Sequence, residues 1–170
     1  MKVGVPTEIM NNENRVGLIP AGVKDLVDIG YQVFIQKGAG EGSNITDNQY
    51  KLMGATILDN AQDVYQEAEL LVKVKEPLES EYNLLKPGQI LFTFLHLAAA
   101  LKLTKVLQER KIIGVSYETV QLENGTLPLL TPMSMVAGRM SVQEGAIQLK
   151  NQHGGLGILL GGVPGVEKGG

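Results

Sequence analysis

Apolar positions along this chain of 170 residues fall into short runs that alternate between two spacings. Residues 2–5 form a brief β-type run. Residues 20–30 change to helical spacing: Val23, Leu26 and Val27 share a face, Pro20 occupies the first turn and Gly30 supplies the stop. Residues 31–36, rich in β-branched and aromatic side chains, predict a strand. Thr46-Asp47 predicts the cap of a short helix around residues 48–53, residues 56–58 a brief strand, and Asn60 the opening of a helix towards Glu67. Residues 70–75 are strongly β in type and Pro77 ends them. After the turn signal Pro87-Gly88, residues 89–94 are almost wholly apolar, the pattern of a strand buried on both faces of a parallel sheet. Residues 101–110 predict a helix and 111–117 the next strand.

This β-α-β-α rhythm predicts an α/β fold: an open, mainly parallel sheet with helices on both faces, flavodoxin-like or Rossmann-like. Ligands of such sheets collect at the C-terminal ends of the strands, which selects the loops after Val5, Lys75 and Phe94. Further on, Glu123-Asn124-Gly125-Thr126 carries a tight-turn signature. Pro128 and Pro132 bracket a connection, and the spacing of Val136, Met140, Ala146, Ile147 and Leu149 predicts a long helix over residues 133–150. An apolar face on that helix requires cover, so self-association is expected. The change of character predicts one domain over residues 1–130, then a linker helix and the start of a second domain over 131–170. The chain closes in glycine-rich sequence, from His153-Gly154-Gly155 to Gly169-Gly170.

Composition narrows the function classes. With 44% apolar and 19% charged residues the chain is globular rather than disordered. Its net charge of −3 comes from interspersed signs, with no basic run to meet nucleic acid. The absence of cysteine removes disulfides, thiolate metal sites and a cysteine nucleophile, and fits a cytoplasmic location. Residues 90–101, the longest apolar stretch, are too short to cross a bilayer and are broken by Thr93 and His96. The first residues make too short an apolar run for a signal peptide. A small-molecule partner is expected, with neither nucleic acid nor membrane.

Few residues offer chemistry. His96 closely follows the most hydrophobic strand, and imidazole titrates near neutrality, as proton transfer requires; the alternative is a histidine bonded to a backbone carbonyl. Lys73 and Lys75, two apart on one strand, are expected to leave the same face, either to hold a carboxylate or carbonyl or as edge-strand lysines that discourage aggregation. Lys75, nearer the strand end, is the better ligand candidate. Arg15 lies in the polar loop Asn11 to Gly17, where a guanidinium can clamp a carboxylate or simply face solvent. Gly155-Leu156-Gly157 starts like a dinucleotide fingerprint, but Leu160 stands in the third glycine's place. No metal-ligand cluster is visible, and Ser134 has no histidine nearby in sequence to make it a nucleophile.

Taken in order, the motifs resemble one family. They are Val5-Pro6-Thr7-Glu8, Asn14-Arg15-Val16-Gly17, Pro20-Ala21-Gly22-Val23, Gly38-Ala39-Gly40-Glu41-Gly42-Ser43 and Val72-Lys73-Val74-Lys75-Glu76-Pro77. The series continues with Leu91 to Ala99, Tyr117 to Leu122, Leu127 to Ser134, Val136 to Met140 and Gly157 to Val166. Together they resemble the N-terminal part of alanine dehydrogenases, enzymes that pass hydride from L-alanine to NAD and yield pyruvate and ammonia. The resemblance implies that Arg15 binds the substrate carboxylate, Lys75 its carboxylate or carbonyl oxygen, that His96 transfers protons, and that Ser134 contacts the cofactor. It implies a homo-oligomer, a hexamer in the family, and an NAD domain whose main fold lies past this chain. On its own, the 170-residue chain is therefore expected to bind no NAD and to be inactive. Ala100 replaces a usual aspartate, Asn44 a common glycine and Met135 a frequent acidic residue. A nicotinamide nucleotide transhydrogenase shares the early motifs, and a non-enzymatic remnant binding a small carboxylate or a protein partner is the third reading.

Overall fold

The computed structural model describes residues 1–166. Six parallel strands form one sheet: β1 (Lys2–Val5), β2 (Gln32–Gln36), β3 (Thr56–Leu58), β4 (Leu70–Val72), β5 (Ile90–Thr93) and β6 (Ile113–Ser116). Their spatial order, β3-β2-β1-β4-β5-β6, is that of the doubly wound dinucleotide-binding fold. The α/β expectation holds, and every named strand pair is parallel.

Register explains why two cores form. Gly4, Leu71, Leu91 and Gly114 are partners in one row, so they share a face of the sheet. On that side Leu71 and Leu91 pack against α3 (Ala61–Glu67) and α4 (Leu101–Glu109) through Val64, Tyr65, Leu103 and Leu107. Val3, Val5, Val33 and Ile35 take the other face. They meet Val23 of α1 (Pro20–Asp28) and Tyr50 of α2 (Asp47–Leu52). Burying each such aliphatic side chain contributes roughly 1.5–3 kcal/mol.

Local signals also act as anticipated. Thr46 and Gln49 form a reciprocal capping box on α2, and the Asn60 side chain accepts the Asp63 N–H at the start of α3. Asn44, in a position where the resemblance leads one to expect glycine, has φ +58°, a left-handed conformation that asparagine tolerates better than other side chains.

Two expectations are corrected. The strand expected over residues 70–75 ends at Val72, and β4 lies between β1 and β5, so Lys73 and Lys75, which follow it, are not edge-strand lysines. Lys73 is wholly enclosed while Lys75 is partly exposed, so the two do not share an environment. The physical reason is a side chain: the Glu8 carboxylate takes the Val74 and Lys75 N–H groups as the ladder lapses.

The chain divides into compact units after Val120, whereas the sequence pattern placed a boundary near residue 130. The second unit contains the Asn124-Gly125 turn, α5 (Thr131–Gln148) and a single turn of 3₁₀ helix at Asn151–His153. No side chain of α5 is buried.

Candidate functional site

The strand order reverses between β1 and β4, and the crevice outside the C-terminal ends of those strands is where doubly wound sheets bind ligands. Three of the four expected site residues, Arg15, Lys75 and His96, belong to loops leaving this edge, after β1, β4 and β5. Ser134 belongs to the second unit.

The Arg15 loop rests directly on β4. A methyl group at Gly17 would stand 2.7 Å from the Val72 carbonyl oxygen and 3.1 Å from Lys73 Cα, so only glycine lets the two backbones come this close. From the other side, Ser43 Oγ donates to the Asn14 carbonyl at 2.9 Å. Glu13 orients the guanidinium: Arg15 Nε donates to its Oε1 at 2.8 Å and Nη2 to its Oε2 at 2.6 Å, a two-pronged pair. That bonding holds the Glu13 carboxyl below the usual range, and Lys75 adds to the effect, which puts Arg15 and Lys75 within electrostatic reach of one carboxylate.

Below them lies a buried ionic cluster. Lys73 Nζ donates to Glu81 Oε1 at 2.8 Å and stands 3.5 Å from Glu8 Oε2. Tyr65 Oη donates to the same Glu81 oxygen at 2.8 Å, and the Leu78 N–H to the other at 2.9 Å. Burial pushes the Glu8 carboxyl above its ordinary range, against the pull of Lys73 and of the Val74 and Lys75 N–H groups. Tyr117 ties the end of β6 into the same place by donating to the Lys73 carbonyl at 2.9 Å.

His96 lines a neighbouring pocket of about 590 Å³ together with Leu95, Leu97, Gly114 and Glu118. Its backbone has φ +46°, a conformation costing a side-chain-bearing residue roughly 1 kcal/mol or more. Glu118 holds it there: its carboxylate accepts the Leu95 N–H at 3.1 Å and the His96 N–H at 2.8 Å. Burial works against charge on Glu118, but the hydrogen bonds it accepts prevail and keep its carboxyl below the usual range. The imidazole is 53% exposed, stacks on Phe94 with ring centres 6.0 Å apart, and has Nδ1 3.9 Å from Glu118 Oε1. An accessible ring on a backbone fixed by hydrogen bonds suits proton exchange with a bound ligand.

Ser134 is exposed on the first turn of α5, its N–H bonded to the Leu130 carbonyl at 3.1 Å. It lines a shallow pocket with Gly125, Leu127, Leu130, Thr131 and Met135. A dinucleotide needs a glycine loop between a strand and a helix. Among the described residues, Gly155 to Gly161 follows a 3₁₀ turn and leads into further turns. The described residues therefore do not fit a complete NAD site. They contain no His, Asp or Glu group able to hold a metal, and no helix long and apolar enough to cross a membrane.

Residues 4–137 match the family described as alanine dehydrogenase/PNT, N-terminal domain. The chain belongs to this family. It is 60% identical over 167 residues to an alanine dehydrogenase of Methanococcus maripaludis, covering 98% of this chain and 45% of that protein. With the alanine dehydrogenase of Geobacillus stearothermophilus the identity is 56% over 169 residues, covering 99% and 45%. A solved L-alanine dehydrogenase superposes with a TM-score of 0.86 at 53% identity, over 99% of this chain and 46% of that one. A transhydrogenase from Sinorhizobium meliloti shares the fold, with a TM-score of 0.65 at 24% identity over 69% of this chain and 34% of that one. The chain thus spans less than half the length of the alanine dehydrogenases it matches.

Within the family frame, sequence reasoning passed over Glu8, Glu81, Tyr117 and Glu118 as site residues. Glu8 and Glu118 each follow a strand by a few residues, the one usable signal. Their roles depend on which strands are neighbours, which no local pattern reveals.

Proposed function

We propose that this chain is the substrate half of an NAD-dependent alanine dehydrogenase, binding L-alanine or pyruvate at the C-terminal edge of its sheet. One observation carries the reading: the loops bearing Arg15, Lys75 and His96 leave adjoining strands on either side of the switch point, in a chain 60% identical to an alanine dehydrogenase. Arg15 takes the carboxylate through its guanidinium, which Glu13 orients. Lys75 contacts the carboxylate or the carbonyl oxygen, where a positive charge draws electron density from the carbon that must be reduced. His96 accepts and returns the proton that accompanies the change between carbonyl and amine. NAD would supply the hydride acceptor in the complete enzyme, with Ser134 as one contact; the chain alone is expected neither to bind NADH nor to turn over alanine. The family resemblance also implies a cytoplasmic homo-oligomer.

Calorimetry with pyruvate tests the reading. Binding by the purified chain, weakened about ten-fold or more by Arg15→Ala, is the expected result. Pyruvate binding that ignores both Arg15→Ala and Lys75→Ala would refute the site, and NADH production from alanine would refute the expected inactivity.

A further inference from the structure

The cluster beneath the site holds one carboxylate more than its lysine needs. Lys73 is enclosed completely, and a buried ammonium is tolerable only when paired and hydrogen-bonded. Glu81 already meets that need at 2.8 Å, and Tyr65 and the Leu78 N–H anchor it independently. Glu8 approaches Lys73 only to 3.5 Å and is directed elsewhere. Its Oε1 accepts the Val74 N–H at 2.6 Å and its Oε2 the Lys75 N–H at 3.4 Å. These amides lie just past the end of β4, where the regular ladder lapses. Glu8 itself is three residues past β1 and leads into the loop that carries Arg15.

We infer that Glu8 is a positioning residue: by bridging the loop after β1 to the backbone of Val74 and Lys75, it sets where Lys75 stands relative to Arg15. The consequence for ligand binding rests on the substrate reading above; the bridge itself does not. Lys73 serves the bridge from beneath by keeping a negative acceptor there. Glutamine at this position keeps the shape but replaces an acceptor oxygen with an NH₂ group. That group must then face either the Val74 N–H, or the Lys75 N–H together with the Lys73 ammonium, and either choice sets donor against donor.

Two measurements on the purified chain separate the inference from the reading it extends. In amide hydrogen exchange, Glu8→Gln is expected to speed exchange at Val74 and Lys75 about ten-fold while β2 and β5 amides stay protected. Glu8→Asp, which keeps the charge but withdraws it by one methylene, is expected to act in the same direction and guards against a glutamine variant that does not fold. Unchanged exchange at both amides in a folded variant would overturn the bridge. In pyruvate calorimetry, Glu8→Gln is expected to weaken binding about ten-fold in the wild-type background and less than two-fold once Lys75→Ala is present. Equal losses in both backgrounds would overturn positioning through Lys75. Absence of pyruvate binding in the wild-type chain would refute the substrate reading alone, and exchange at Val74 and Lys75 would still decide the role of Glu8.

Discussion

The two compact units put their apolar side chains to opposite effect. Every buried hydrophobic residue among those described lies between Val3 and Leu107, in the sheet unit. In α5, Met133, Met135, Val136, Met140 and Val142 are between 39% and 63% exposed. Angular placement explains the contrast. At about 100° per residue, Val142, Met135, Val136 and Met140 are spread over an arc of roughly 160°. Ser134, Ser141, Glu144 and Gln148 occupy the remaining sector, so the expected apolar face is present but spreads over about half of the circumference. A face that broad requires cover, which the described part of the second unit does not itself build. In the sheet unit, by contrast, alternation along β1 and β2 sends Val3, Val5, Val33 and Ile35 into one defined core. The lesson is that periodicity identifies an element, while a core requires elements whose faces match.

The largest test of this contrast is a pair of truncations. Leu91→Ala, in the middle of the α3–α4 core, is expected to lower stability by about 2–5 kcal/mol in urea titration. Val136→Ala, on exposed α5, is expected to change it by about 0.5 kcal/mol or less. Similar losses from both would mean that α5 contributes to the cooperative core after all.

Next in size is Gly17→Ala. The added methyl would meet backbone at 2.7 Å, with no flexible side chain to give way, so a loss of about 1–3 kcal/mol is expected. Because the same contact seats the Arg15 loop on β4, pyruvate affinity should fall more than stability alone explains. A full loss of stability with unaltered pyruvate affinity would show that the loop's seat has no part in binding.

The smallest effect is electrostatic and has a definite sign. Glu118 titrates below its ordinary value in the folded chain. Its contribution is therefore complete above the unfolded pKa near 4.5 and is lost as pH falls through the lowered folded value. Glu118→Gln is expected to lower stability by about 1 kcal/mol at pH 7, with the gap to wild type closing in acid. Glu8 has the opposite sign, since burial raises its pKa. Its protonation favours the fold as pH falls through that raised value. A Glu118→Gln gap that widened in acid would contradict the role assigned to its hydrogen bonds.

Much of the fold was legible in the sequence because its signals are local. The proline at the start of α1, the Thr46 cap and the Asn60 cap each act within a single turn. The rule that ligands gather at strand ends pointed to three loops, and all three leave the C-terminal edge of the sheet next to the switch point. What stayed hidden needed strand order. In sequence Lys73 and Lys75 differ only in their distance from the strand end, yet Glu8, 65 positions before Lys73, pairs with the side chain of one and bonds the backbone of the other. His96 was legible as a residue type, but the left-handed backbone that presents it depends on Glu118, which lies 22 residues away.

The most direct test of the central claim is a pyruvate titration of the ¹⁵N-labelled chain, followed amide by amide. The expected result is a saturable shift confined to the loops around Arg15, Lys75 and His96, with the α5 amides unmoved. Shifts concentrated in α5, or spread evenly over the sheet with none at Arg15 or Lys75, would contradict a substrate half-site at the switch point.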